Sequence, residues 1–236
     1  MFHFKHFSIQ QENSALKVGT DAMLLGAFVS SENAKSCLDI GAGTGVISLM
    51  LAQKNPTLEV TAIEIDAASV IDCSANFSNS NWSKQLTCLE ADFLSWPTEQ
   101  QFDLIVSNPP FYQNSLLSNN ALTAQSKHAV FLPFDQLFEK VTRLLVENGV
   151  FWMIIPIEDL HFVCQLALLN NLFCCQQIII EAKPGKNVRA ILAFRKNEQH
   201  LIVQTICIRA ENGNYTSQYI ELTKEFHSKN LHEQNK

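Results

Sequence analysis

"LDIGAGTGVISL", residues 38–49, is the stretch on which the reading of the fold turns. A short apolar run meets glycines at positions 41, 43 and 45 and passes directly into Val46, Ile47 and Leu49, the start of a helical pattern. Glycines at a strand-to-helix junction let the backbone take positive φ and let a ligand approach atoms that a Cβ would shield. The spacing is GxGxG, so the GxGxxG fingerprint of nicotinamide and flavin sites is incomplete. Amides at the helix start favour an anion, a carboxylate as readily as a phosphate.

Outward from this turn, apolar runs at 36–40, 60–65, 86–90, 102–107 and 150–155 alternate with helical patterns at 46–54, 67–77, 133–146 and 159–170. Such alternation predicts a parallel sheet covered on both faces. The runs 177–182 and 189–195 flank "KPGKNV", whose Pro-Gly marks a turn, so the sheet is expected to close with an antiparallel hairpin. Residues 201–209 read as a further strand and 216–227 as a terminal helix. The expected fold is α/β, a doubly wound, mostly parallel, seven-stranded sheet with an antiparallel C-terminal hairpin.

Composition narrows the class. A chain of 236 residues, 47% hydrophobic, supplies one sizeable core. The opening MFHFKHFSIQ lacks the build of a secretory signal, and the apolar run at 150–157 is too short to span a bilayer, so a soluble, cytoplasmic protein is expected. Seven cysteines form no CxxC pair and sit mostly in apolar runs, which points to reduced thiols and to no metal site. With 17 Lys plus Arg against 23 Asp plus Glu, the net charge is −6, and any polyanionic partner needs a local basic patch.

Acidic residues follow the strands. Glu64 lies 23 residues after Gly41, near the interval at which a carboxylate reaches ribose hydroxyls in doubly wound folds, with Asp66 as the fallback. In "LEADF", Asp92 offers an acceptor for an adenine amino group beside Phe93, a possible stacking face. Each is also what a surface acid at a strand end would look like. Their common place at carboxyl ends of strands favours an adenosine-containing cofactor, bound by Glu64 and Asp92 in preference to any structural use of them.

The fourth run ends "FDLIVSNPPF", residues 102–111. Neither proline has an N–H, and Pro109 disfavours a helical Asn108, so the segment leaves the sheet extended with unpartnered carbonyls. The Asn108 side-chain carbonyl, the Pro109 backbone carbonyl and the Phe111 ring suit a planar group bearing an NH2. Two hydrogen bonds can draw its nitrogen toward tetrahedral geometry, a transition-state-selective stabilisation that needs no strong base.

GxGxG, Glu64, Asp92 and NPPF in this order resemble the class I S-adenosylmethionine-dependent methyltransferases that act on planar nitrogens. The leader "LKVGTDAMLLGAF" (residues 16–28) and the tail "NYTSQYIELTKEF" (214–226) are similar to the bacterial tRNA1(Val) (adenine-37-N6)-methyltransferases, and the likeness spans nearly the whole chain. The resemblance implies one methyltransferase domain over 1–236, with 1–35 as an N-terminal lid and 200–236 as a C-terminal strand-helix extension. It implies S-adenosylmethionine as cofactor, held by Lys17, Thr20 and Asp21 of the lid, by Asp39, Gly41, Gly43 and Gly45, and by Glu64, Ile65, Asp92, Phe93 and Asn108. Catalysis falls to Asn108, Pro109, Pro110 and Phe111, and tRNA is the implied partner, with no metal, no membrane and no obligate protein partner.

Phe111 stands where such relatives often have Tyr, which keeps the stacking face and loses a hydroxyl. "QSKHAVF" at 125–131 carries Lys127 and His128 where an arginine is expected. For RNA, the cations Lys183, Lys186, Arg189, Arg195 and Lys196 cluster in one stretch, with Lys127 after NPPF and Tyr112 beside Phe111 to receive the base. The competing readings are a protein glutamine N5-methyltransferase, disfavoured by the tail and by the lack of a helical recognition domain before Leu16, a DNA adenine methyltransferase, and a non-catalytic RNA- or nucleotide-binding module.

Overall fold

The structure, a computed structural model, describes residues 1–109, 132–228 and 231. An antiparallel ribbon of β1 (Phe2–His3) and β2 (Ser8–Ile9) leads into α1 (Thr20–Phe28). Then follow β3 (Ser36–Ile40), α2 (Val46–Lys54), β4 (Glu59–Glu64), α3 (Ala67–Ser78), β5 (Leu86–Glu90) and β6 (Phe102–Ser107). The second half runs α4 (Phe134–Leu144), β7 (Leu145–Pro156), α5 (Leu160–Leu169), β8 (Phe173–Glu181), β9 (Asn187–Arg195), β10 (Ile202–Cys207) and α6 (Ser217–Thr223).

The main sheet has the order β10-β8-β9-β7-β6-β3-β4-β5. Strands β5, β4, β3, β6 and β7 are parallel, β9 is antiparallel to both β7 and β8, and β10 is parallel to β8. The expected parallel core and antiparallel hairpin are both present. The expected count of seven strands is corrected to eight among the described residues, because residues 196–201 carry the chain past the start of β8 and let β10 pair on its outer side. The chain proceeds from β3 outward to β4 and β5, then returns to lay β6 on the other side of β3. In open α/β sheets this reversal leaves a crevice at the carboxyl ends of the strands.

Strand alternation sends side chains into two cores. Cys37, Val60, Ala62, Leu104, Val106, Trp152 and Ile154 face the layer of α1, α2, α3 and α6. Leu38, Ile40, Ile63, Ile105, Phe151, Met153 and Ile155 face α4 and α5. The helices are fastened by polar devices as well. Lys54 of α2 donates to the carbonyls of Gly26 (3.0 Å), Ala27 (2.7 Å) and Val29 (2.5 Å), supplying the cation that the last turn of α1 lacks. Burial pushes its pKa down to about 8.

The terminal helix is shorter than the expected 216–227. It stops at Thr223 because the chain turns so that Phe226 accepts from the Lys5 amide and His227 bridges Phe4.

Candidate active site

Strand register assembles the site. Ile40 of β3 lies opposite Ile63 of β4 and Ser107 of β6, so Gly41, Glu64 and Asn108 emerge at one level on neighbouring strands. The Ser107 hydroxyl donates to the Ile40 carbonyl at 3.0 Å and pins the two strand ends together. Asn108 is half-buried and Pro109 buried. Pro110, Phe111, Tyr112, Lys127 and His128 lie outside the described residues.

The three glycines divide by role. All have positive φ, +70° at Gly41, +55° at Gly43 and +77° at Gly45. A Cβ at Gly45 would fall 2.5 Å from the Phe77 ring and 2.8 Å from Cys73 Sγ, so this glycine lets α2 start against α3. At Gly41 and Gly43 no described atom lies within 4 Å of a Cβ position, and the turn presents bare backbone to open space. Its amides are not an open anion nest. Gly41 and Ala42 donate to Ile63 O, Gly45 donates to Ala42 O, and Gly43 donates to Glu64 Oε2 at 2.8 Å.

Glu64 also accepts from the amides of Ile65 and Asp66 through Oε1, both at 2.9 Å. The expectation that it has no structural use is therefore corrected, since it ties the end of β4 to the glycine turn. Asp66, the fallback, is the N-cap of α3 and accepts from Ser69 N at 3.0 Å and Ser69 Oγ at 2.7 Å.

Asp39 is fully buried beneath the turn. Its Oδ2 accepts from Ser48 Oγ at 2.6 Å, while Oδ1 is buried with no partner among the described residues. Burial pushes its pKa up to about 6, against the lowering effect of Ser48 and with a smaller push from Glu64. An unmet buried acceptor costs free energy.

On the far side, Asp92 Oδ1 accepts from Leu94 N at 2.9 Å. Phe93 is not a free stacking face. It is 4% exposed in the α4/α5 core, and its carbonyl accepts from Lys140 Nζ at 2.6 Å. The Lys140 ammonium lies 5.1 Å from the ring centroid and also donates to Leu94 O and Trp96 O. Desolvation lowers its pKa. The apolar surface offered at this edge is Ile65, 39% exposed.

Two residues absent from the sequence-based reading organise the N-terminal segment. Asp72 accepts from the Asn13 amide (3.0 Å) and side chain (2.8 Å) and from the Ser14 amide and hydroxyl (both 2.8 Å). These bonds hold its pKa down against the opposing effect of burial. Asn76 accepts from Gln10 N and donates to Gln10 O and to Thr44 O in the glycine turn, the last two at 2.9 Å. The available signal was a pair of polar residues four apart beside Cys73 and Phe77 on the inner face of α3. Lys17 donates to the carbonyls of Gln11 and Ser14, and so fastens its own strap.

The expected basic stretch is split by the length of β9. Arg189 pairs with Pro156 at the carboxyl end of β7, whereas Arg195 pairs with Phe173 at the opposite edge, where it donates to Asn148 O. Only Lys183, Lys186 and Arg189 of that stretch reach the site edge. Arg189 Nε in turn makes an ion pair with Asp21 Oδ2 at 2.9 Å, both side chains about a quarter exposed. An expected RNA contact and an expected cofactor contact thus hold each other, with Thr20 beside them at the start of α1.

Among the described residues, no helix is long and apolar enough to cross a membrane and no group of His, Cys, Asp and Glu could hold a metal. The model of the methyltransferase small domain matches residues 13–178. A tRNA1(Val) (adenine(37)-N6)-methyltransferase of Flavobacterium psychrophilum is 39% identical over 97% of this chain and 100% of its own length. Its namesake in Pseudoalteromonas translucida is 33% identical over 97% and 98%. Among solved structures, a predicted O-methyltransferase from Agrobacterium tumefaciens superposes with TM-score 0.71 at 17% identity, covering 89% of this chain and 98% of that one. A methyltransferase from Pyrococcus furiosus gives 0.60 at 19%, covering 81% and 90%. These structures share the fold. With its parallel sheet, glycine turn and Asn-Pro strand end in the places described, and with full-length relatives at this identity, the chain belongs to the tRNA1(Val) (adenine(37)-N6)-methyltransferase family.

Proposed function

We propose that this protein transfers a methyl group from S-adenosylmethionine to the exocyclic N6 of adenine-37 in valine tRNA, in the cytoplasm. The observation that carries the reading is the register of β3 with β6, which sets Asn108 beside Gly41 at the crevice of the sheet. S-adenosylmethionine, when bound, supplies the electrophilic methyl. The residues present fit it: Gly41 and Gly43 leave backbone open, Asp39 carries an unmet acceptor beneath them, and Glu64 with exposed Ile65 borders the next strand. Asp92 lies one strand further on, after β5.

The amino group of adenine is a poor nucleophile because its lone pair is delocalised into the ring. Asn108 Oδ1 and the Pro109 carbonyl each accept one N–H hydrogen bond and draw the nitrogen out of the ring plane, with its lone pair toward the methyl. The interaction strengthens as positive charge develops on nitrogen, so it stabilises the transition state more than the bound ground state. The N–H proton is lost after transfer to water, without a strong base. Anticodon-loop adenines are unpaired, so extruding one costs a few kcal/mol at most.

The N-terminal segment 1–35 acts as a cap through the strap that Asp72 and Asn76 hold on α3. The test is incubation of unmodified valine tRNA with labelled cofactor, followed by nucleoside mass spectrometry. Label in N6-methyladenosine at position 37 supports the reading, and a valine tRNA left unlabelled at that adenine overturns it.

A further inference from the structure

The same sheet edge carries a second concavity, of about 290 Å³, lined by Thr20, Lys183, Lys186, Arg209, Tyr215 and Tyr219. None of the residues lining it comes from β3, β4, β5 or β6, so it is separate from the glycine turn. Register places it nonetheless on the carboxyl side of the sheet. Glu181 at the end of β8 lies opposite both Asn187, at the start of β9, and Cys207, at the end of β10.

The cavity is built around Arg209, which a ring contact and a hydrogen bond hold. The Arg209 guanidinium lies 4.1 Å from the Tyr215 ring centroid, and its Nη1 donates to Gly213 O at 2.8 Å. Tyr215 in turn stacks on the buried Tyr219, with centroids 4.9 Å apart and planes at 16°. Gly213, at φ +84°, closes the turn that presents the carbonyl. Lys183 and Lys186 also line the cavity and are exposed, on the turn closed by Gly185, at φ +76°. The nearby carboxylate of Glu181 is engaged by the Gly185 amide at 3.1 Å.

We infer that this cavity is a phosphate site for the RNA backbone, on the same sheet edge as Asn108 but three to four strands along from β6, so that it takes a phosphate away from the nucleotide whose base enters at Asn108. The inference rests on the tRNA reading above. A guanidinium held against a tyrosine ring keeps N–H donors suited to phosphate, and two exposed lysines on the neighbouring turn add charge. Tyr215 is engaged by both Arg209 and Tyr219, so its part here is to hold the arginine. The site therefore positions the RNA and reads no sequence.

The experiment uses the full chain and an unmodified valine tRNA transcript, with tRNA affinity measured across a salt series and cofactor affinity by calorimetry. Arg209→Gln is expected to weaken tRNA binding by about tenfold and to flatten the log–log salt slope by about one unit, with cofactor affinity unchanged. Arg209→Lys keeps the charge and is expected to retain the slope while losing part of the affinity. If Arg209→Gln misfolds because Tyr215 loses its stack, Lys183→Gln with Lys186→Gln on the exposed turn decides, with an expected loss of about two units of slope. A purely structural role for Arg209 would lower the melting temperature and leave the slope alone. Wild-type slope in the folded variants, with methylation of tRNA intact, overturns this inference only; absence of any methyl transfer to tRNA from the wild type overturns both readings.

Discussion

The two halves of one sheet edge are built on opposite plans. On the β3–β5 side the charged groups are acids, and each is tied to backbone: Glu64 holds the amides of residues 43, 65 and 66, Asp66 caps α3, and Asp92 holds Leu94. On the β8–β10 side cations outnumber acids: Lys183 and Lys186 on an exposed turn and Arg209 against a tyrosine lie near Glu181, and Arg189 pairs with Asp21. The net charge of −6 conceals this division. The difference teaches that a small cationic cofactor and a large polyanion make different demands. The first needs a few acceptors already fixed in place, and the second needs charge that can follow a flexible backbone. Asn108 stands between the halves, where the proposed reaction brings both ligands together.

The comparison breaks first at that junction. Asn108→Ala is expected to reduce single-turnover methylation of valine tRNA by about 100- to 1000-fold with little change in either binding constant, the size of losing one aimed hydrogen-bond group in a transition state. Parallel loss of tRNA affinity would instead make Asn108 part of the RNA surface. On the acidic side, Glu64→Ala should weaken S-adenosylmethionine binding by about 1–3 kcal/mol. Because the same carboxylate ties the amide of Gly43 in the glycine turn to those of Ile65 and Asp66 after β4, thermal unfolding of the ligand-free protein should also move to lower temperature. A variant with wild-type cofactor affinity and a lowered melting temperature would leave Glu64 with the structural part alone.

Acidity sharpens the contrast further. The folded-state pKa of Asp39 is raised to about 6, so its contribution to stability is fully present below its unfolded value near 4 and is lost as pH rises through 6. A cation at the turn favours the ionised form, so cofactor binding should release a proton and weaken by about tenfold between pH 7 and pH 5. Calorimetry in buffers of different ionisation enthalpy would register the proton, and Asp39→Asn should abolish the pH dependence. The smallest effect lies where the halves touch. A double-mutant cycle on Asp21 and Arg189, part-buried at 2.9 Å, should return a coupling of about 1 kcal/mol in stability, and a value near zero would release Arg189 for RNA.

Much of this was readable before any coordinates. The expected segments 36–40, 46–54, 86–90 and 102–107 match β3, α2, β5 and β6, because each has a clean apolar pattern bounded by glycine, proline or polar punctuation. Local pattern failed where long-range contacts intervene. Phe93 read as a stacking face because its neighbour Asp92 is polar, yet α4 reaches across with Lys140 to bury it. The five cations between 183 and 196 read as one patch, but a nine-residue strand carries its two ends to opposite edges of the sheet.

Strand–helix alternation, the positive-φ glycine turn and the Asn-Pro strand end are legible in the residues alone, since they depend on periodicity, on the backbone freedom of glycine and on the restriction of proline. Which side chains meet is settled by the assembled sheet. The pairing of Asp21 with Arg189, the hold of Asn76 on Thr44 and the convergence of Thr20, Lys183 and Arg209 on one cavity join residues tens to nearly two hundred positions apart. Contacts at such separations follow from the order and register of strands, which no local pattern encodes.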